Sequence, residues 1–298
     1  MALLRATAEI AGQTGLQPVA AHFDHSLRPE SRDDAAWVAR EAEKSGLKVI
    51  CGQGDVPSFA AEKRIGIEEA ARRLRYEFLV QTAGQFGASF VATAHTADDQ
   101  SETILFHILR GTGLRGLQGI PPRRRLSEGL TLVRPLLGVS RAEIEDYLDS
   151  LGQEFLHDAT NTDRSRTRNR LRHDLLPLLR ETVNPRVDEA LRRLGAQAAE
   201  QAALLRRQAR KELGQALIES TPAVIRFRCQ RLKTRPRPVI RETIALAWRR
   251  AGWPRQAMSS SHWNRIADLV TGSGRQTLPG GTDARSRQGE LTLRRSNG

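Results

Sequence analysis

A chain of 298 residues, 39% hydrophobic and 27% charged, has the composition of a folded, soluble protein with room for about two domains, which excludes a disordered tail or a fibrous repeat. Its 47 Lys and Arg outweigh 34 Asp and Glu, for a formal net charge of +13, so a polyanionic partner is expected, because cationic surface gains affinity by releasing the counterions of phosphates. Cys51 and Cys229 are too isolated for a disulfide framework, a metal site or a redox pair and fit a reducing cytoplasm; no apolar run reaches the roughly 18 residues of a membrane span, and Arg5 and Glu9 interrupt what a signal peptide needs.

Short apolar runs at Val19-Ala20-Ala21-His22-Phe23, Val49-Ile50-Cys51 and Phe90-Val91-Ala92-Thr93-Ala94 are separated by long segments of helical spacing, Pro29–Ser45 and Ile67–Phe86. That alternation predicts βαβ units and a parallel sheet. In the second helix Ala70, Leu74 and Phe78, with Ala71 alongside, form an apolar stripe, and Gly46 and Gly87 sit where helices stop. A further helix is expected to run from Thr96, whose hydroxyl can cap it over Asp98 and Asp99, to Arg110 before Gly111. Ser140-Arg141-Ala142-Glu143 is a capping-box pattern opening another.

From Asn184 to about Glu219 the sequence is charge-laced and helical, with Val187, Leu191, Leu194 and Leu204 on a broken stripe, and reads as a connecting segment. The remainder is Arg-rich, opens with Arg235-Pro236-Arg237-Pro238 and ends past the turn signal Pro279-Gly280-Gly281, which predicts a small second domain of helices followed by a hairpin. The expected organisation is therefore 1–183, a helical linker over 184–219, and 220–298.

Three patterns carry chemistry. His22-Phe23-Asp24-His25-Ser26-Leu27-Arg28 closes a predicted strand, the edge of an open parallel sheet where ligands bind, although a His-Asp-His cluster taken alone is more commonly a turn or capping network. His95-Thr96-Ala97-Asp98-Asp99-Gln100-Ser101-Glu102-Thr103 follows another strand; Asp99 and Glu102 are three apart and Asp98 and Glu102 four apart, so the carboxylates share a helix face, or serve only as helix-start acids. The run from Asn161 to Arg172 holds five arginines at alternate positions, a solvated face or a phosphate contact.

Together with Arg110-Gly111-Thr112-Gly113-Leu114-Arg115-Gly116-Leu117, Arg134-Pro135-Leu136-Leu137 and Gly274-Arg275-Gln276-Thr277-Leu278-Pro279-Gly280-Gly281, these patterns closely resemble the tRNA(Ile)-lysidine synthases of the PP-loop ATPase superfamily. The resemblance covers essentially the whole chain and is strongest from about Val19 to Pro177. It implies a doubly wound α/β PP-loop domain with a basic tRNA-contacting end and a smaller tRNA-binding domain. It further implies ATP with Mg²⁺, free L-lysine and a tRNA(Ile) with a CAU anticodon, and leaves a homodimer open. In the implied reaction the C2 oxygen of the wobble cytidine attacks the α-phosphate of ATP and expels pyrophosphate; the ε-amine of lysine then attacks C2 and expels AMP.

By the same resemblance Asp99 and Glu102, with Asp98 close behind, recognise the lysine. His22, Asp24, His25 and Arg28 line the nucleotide and cytidine side of the cleft, Arg110 and Arg115 contact phosphates, and Arg168, Asn169 and Arg172 meet the tRNA backbone. No metal ligands are assigned.

The family's ATP loop, Ser-Gly-Gly-x-Asp-Ser, has no counterpart in these 298 residues. Met1-Ala2-Leu3-Leu4-Arg5 matches the helix that follows the loop, so the first strand and the loop are expected to lie upstream of Met1. A relative without catalysis that still binds tRNA is the alternative, and another PP-loop tRNA-modifying enzyme a second, although thiolation chemistry calls for paired cysteines.

Overall fold

The structure is a computed structural model that describes residues 1–26, 31–156 and 167–295. The chain divides into two compact units, Met1–Gly195 and Ala196–Gly298.

The first unit opens with α1 (Ala2–Thr14), stopped by Gly15 in the left-handed conformation, then β1 (Val19–Asp24), α2 (Ser31–Lys44) and β2 (Lys48–Gln53). β1 and β2 pair in parallel, with His22 opposite Cys51 and Asp24 opposite Gln53. Gly52 is required by packing, since a Cβ there would fall 2.5 Å from the Phe78 ring. A short helix not anticipated from the sequence, α3 (Val56–Lys63), is capped by Asp55 and packs Val56 and Ala60 against Ala70 of α4 (Ile67–Gln85). Of the expected stripe of α4, Ala70, Ala71 and Leu74 meet α3, and Phe78 meets Gly52 and Phe23. A second face that the sequence reading did not mark, Tyr76, Leu79, Val80 and Ala83, meets Val91, Leu130 and Leu132.

β3 (Phe90–Ala92) leads into α5 (Ala97–Leu109) and the short α6 (Leu114–Leu117), after which a hairpin of β4 (Arg123–Ser127) and β5 (Leu130–Val133) turns at Gly129. β5 pairs in parallel with β3 and antiparallel with β4. The α/β class and parallel pairing expected from the alternation are present, arranged as a β1-β2 sheet and a β3-β5-β4 sheet. α7 (Arg141–Ser150) follows a 3₁₀ turn over Pro135–Gly138; the capping box expected at Ser140 forms with Glu143, and Thr96 caps α5 as expected, closing a further box with Asp99.

α8 (Thr167–Arg170) continues through a π turn, Leu171–Leu175, into α9 (Leu176–Thr182). Leu171, Leu176 and Leu191 bury with Ile104 and Leu105 of α5, which fixes this segment against the site. α10 (Val187–Ala216) comes so close to α5 that a Cβ on Gly195 would meet Ile104 at 2.6 Å. The expected leucine stripe of α10 is corrected: Leu194 and Leu204 are exposed, and the buried positions are Leu191, Ala198, Ala202, Ala209, Leu213 and Ala216. Alanine serves a helix packed closely on its neighbours, and a search for leucines does not see it.

The second unit holds β6 (Leu217–Ser220), β7 (Val224–Arg228), α11 (Cys229–Leu232), α12 (Arg237–Arg250), α13 (Ser260–Thr271), β8 (Gly274–Leu278), β9 (Thr282–Arg287) and β10 (Glu290–Arg295). Helices followed by a hairpin was the sequence expectation. Instead one antiparallel sheet of order β6-β7-β10-β9-β8 collects strands from both sides of the helices. Val224-Ile225-Arg226-Phe227 alternates as a strand should, but its partner β10 lies more than sixty residues on, beyond any local signal. The core gathers Ile225, Phe227, Ile244, Ile266, Leu291 and Leu293 around Trp248, whose ring meets Trp253 edge-on at 4.8 Å; the indole N–H groups donate to the carbonyls of Pro254 and Pro222.

Candidate functional site

The site is built where β1 and β3 end. Past β3, Thr93 contacts His95 (Oγ1 to Nδ1, 3.0 Å), and Thr96 caps α5 while its own backbone N–H donates to Asp99 Oδ2 at 2.9 Å. The three carboxylates of this turn have three different environments. Asp98 accepts the backbone N–H of Arg141 at 2.7 Å and so caps α7. Asp99 gives one oxygen to the capping box and the other to Arg168 Nη2 (2.9 Å) and Arg172 Nη2 (3.2 Å). Glu102, 1% exposed, takes Arg172 Nε and Nη2 at 2.5 and 3.0 Å and Arg168 Nε at 2.9 Å. Residues assigned from the sequence to lysine and to tRNA therefore meet in one ion-pair cluster.

Burial works against the charge of Arg172, but its hydrogen bonds to Glu102 and the charges of Glu102, Asp99 and Asp98 outweigh it and raise its pKa. Arg168 is half-exposed, and Asn169 between them is buried. Arg180 anchors the same helical segment through two bonds to Asp188, at 2.6 and 3.0 Å.

On the β1 side Asp24 is buried and accepts the backbone N–H of Ser26 at 2.7 Å, holding the tight turn in which Ser26 has φ 49°. His25 packs edge-on against Phe23, and its Nδ1 is buried without a hydrogen-bond partner. Burial lowers the pKa of both His22 and His25; the Asp24 and Asp34 charges partly restore His22, whereas Arg75 lowers His25 further. His95 is pushed down to about 4, by burial first and then by Arg134, against the opposing pull of Asp99, so it is neutral at pH 7. Arg28 lies outside the described residues.

Arg110 ends α5 eleven residues beyond Asp99, about 16 Å along the helix axis. Its guanidinium covers the Phe106 ring at 5.1 Å, and Arg115 sits beside Gly116, whose carbonyl contacts His107. Arg110 thus lies at the opposite end of α5 from its acidic first turn. Arg75 is a residue of this region that the sequence reading missed. This α4 side chain acts electrostatically on both His25 and His95, and burial lowers its pKa. Its signal was spacing: Arg75 lies four residues from Ala71 and three from Phe78 on the inward face. Among the described residues no group of three or more His, Cys, Asp or Glu could hold a metal ion, and no helix is long and apolar enough to cross a membrane.

The orphaned His25 Nδ1, the neutral His22 and the uncompensated charge of Arg75 at one sheet edge suit a nucleotide with a base to hydrogen-bond and phosphates to neutralise. This α/β arrangement with its site at the strand ends is that of a PP-loop domain, and the PP-loop domain family matches residues 1–179. Within that class, a tRNA(Ile)-lysidine synthase of Rhodopirellula baltica is 35% identical over 286 residues, covering 87% of this chain and 71% of the relative. One from Thermus thermophilus is 36% identical over 295 residues, covering 97% and 54%, and one from Dehalococcoides mccartyi is 43% identical over 190 residues, covering 62% and 40%. The chain belongs to the tRNA(Ile)-lysidine synthase family of PP-loop proteins. It spans about two fifths of the Dehalococcoides relative and about half of the Thermus relative. Among solved structures, the U34-tRNA thiolase NcsA of Methanococcus maripaludis aligns with a TM-score of 0.53 at 13% identity, covering 66% of this chain and 68% of that one, a likeness of fold.

Proposed function

We propose that the protein joins lysine to C2 of the wobble cytidine of a tRNA(Ile) with a CAU anticodon, using ATP with Mg²⁺ on its phosphates to activate the C2 oxygen. The observation that carries this reading is the match to a tRNA(Ile)-lysidine synthase along 97% of the chain. When bound, ATP supplies the adenylyl group that turns a poor leaving oxygen into a good one. The chain's own work is to bind and orient. His22, Asp24, His25 and Arg75 hold the nucleotide side, and Asp99 and Glu102 take the lysine ammonium. Because both carboxylates already pair with arginines, an incoming ammonium exchanges with a guanidinium rather than meeting a bare acid. Arg168, the more exposed of the two, is the one to leave, and a tRNA phosphate is the natural acceptor for it.

The test is incorporation of labelled lysine into unmodified tRNA(Ile) with ATP and Mg²⁺, run with this chain alone and with the chain joined behind a strand and a Ser-Gly-Gly-x-Asp-Ser loop. Absence of incorporation by both folded forms overturns the reading. In an active form Asp99→Asn raises the lysine KM about tenfold or more and leaves the ATP KM within about twofold, because the swap keeps shape and removes a charge-assisted bond. The saturation of Asp99 and Glu102 by arginine supports a second reading, a tRNA-binding protein without ligation. That reading predicts salt-sensitive tRNA binding with no lysine dependence in any form.

A further inference from the structure

We propose that Arg72, Arg124 and Arg134, gathered around Tyr76, form an oxyanion site that takes a phosphate group. α4 supplies Arg72, Arg75 and Tyr76, β4 supplies Arg124 opposite Leu132, and Arg134 directly follows β5. The burial of Tyr76, Leu79 and Val80 against Val91, Leu130 and Leu132 fixes the helix under this corner of the sheet. The guanidinium carbons of Arg124, Arg72 and Arg75 lie 4.6, 5.3 and 5.7 Å from the Tyr76 ring centroid. Arg134 is 5% exposed; its Nη1 donates to the Pro121 carbonyl and its backbone N–H to that of Pro122. Its Nε, like the Nε of Arg124, is buried with no partner.

Among the described residues no carboxylate is ion-paired with Arg72, Arg75, Arg124 or Arg134, and none figures in the electrostatics of Arg75 or Arg134. Burial first, then the like charges of Arg124 and Arg72, lower the pKa of Arg134, and only Tyr76 opposes them. Elsewhere arginines such as Arg168, Arg172, Arg180, Arg226 and Arg249 sit on carboxylates. Here several like charges are held together with two buried N–H donors unused, an arrangement that gains free energy only when an anion enters. Planar guanidinium forks arriving from three elements suit a multivalent tetrahedral oxyanion better than a single carboxylate. Phosphate of this kind reaches the site either on a nucleotide or in an RNA backbone. The site stands on its own geometry and rests on the proposed function only for naming these two sources.

Binding is measured by calorimetry with inorganic pyrophosphate and, separately, with a short single-stranded oligoribonucleotide, on the whole chain. Arg72→Gln and Arg124→Gln are compared with Arg193→Gln, an exposed α10 arginine far along the chain, with circular dichroism confirming the fold. The expected result is that Arg72→Gln and Arg124→Gln each weaken at least one probe about tenfold or more, while Arg193→Gln leaves both unchanged. Loss of pyrophosphate binding assigns the nucleotide source, and loss confined to the oligoribonucleotide assigns the RNA source. Wild-type protein that binds neither probe, or changes under about twofold in the folded variants, overturns the proposal. Arg72 is exposed and its variant carries the test if Arg124→Gln does not fold. These are equilibrium affinities, so an absence of lysine ligation leaves their outcome untouched.

Discussion

Two charged clusters lie within the first unit and are built on opposite principles. At the start of α5, Asp99 and Glu102 are answered by Arg168 and Arg172, charge for charge, with every oxygen of Glu102 engaged. At the Tyr76 corner, charges of one sign converge and two buried donors stay unused. The first cluster contributes to stability as it stands and must be opened to act on a ligand. The second opposes stability as it stands and gains by binding one. Matched charge buried in a fold is weak evidence for a ligand, whereas unmatched charge held in place by packing is stronger evidence.

The largest consequence concerns Glu102. Glu102→Gln leaves two guanidinium groups without their main counter-charge at a buried position, and the expected loss is about 3 kcal/mol of unfolding free energy, read from urea denaturation. The double change Glu102→Gln with Arg172→Met should recover most of it, since removing both partners avoids the unpaired buried charge. A loss below about 1 kcal/mol for the single change would mean that solvent screens the cluster and that the two clusters do not differ in how they bear on stability.

His95 stands between the clusters, lowered by Arg134 and raised by Asp99. Its folded pKa of about 4 lies below its unfolded value near 6.5, so between these values the unfolded chain binds more protons. Stability from the neutral ring is therefore full above about pH 6.5 and is lost as pH falls toward 4. After discounting for partial solvent exposure the effect is about 2 kcal/mol, and His95→Gln should flatten that part of the stability profile. An imidazole NMR titration near 6.5 would contradict the geometry around it. The depressed pKa also sharpens the comparison: Arg134→Gln should raise it and Asp99→Asn should lower it.

How much of this was legible in sequence divides along the same line. The strands β1, β2 and β3, the α4 stripe, the Thr96 cap and the Ser140 capping box are local patterns, and both caps form as spacing dictates. The ion-pair cluster was invisible because Arg168 and Glu102 are 66 residues apart and were assigned separately by resemblance, one to a phosphate and the other to lysine. Arg72, Arg75 and Tyr76 drew no reading of their own, since nothing local reveals that the β4–β5 hairpin, itself unread, delivers Arg124 and Arg134 to them. In the second unit β7 was missed for the same reason: its partner β10 is remote in sequence. Sequence reports which charges exist, and tertiary pairing decides which remain unanswered.

The smallest expected effect is also the most discriminating. Arg124→Gln removes a guanidinium that stacks on Tyr76 at 4.6 Å, a contact worth about 0.5–1 kcal/mol. It also relieves repulsion with Arg134 and Arg72, and it replaces a buried, unsatisfied charged donor with a neutral group. These terms oppose one another and are similar in size, so unfolding free energy should change by less than about 0.5 kcal/mol, against the loss of about 3 expected for Glu102→Gln. Added phosphate should then separate the two proteins. Stabilisation of the wild type by pyrophosphate grows with the logarithm of its concentration above Kd, and the variant should lose that increment while keeping its baseline. A variant that loses several kcal/mol before any anion is added would show that the arginine is structural and that both clusters hold the fold in the same way.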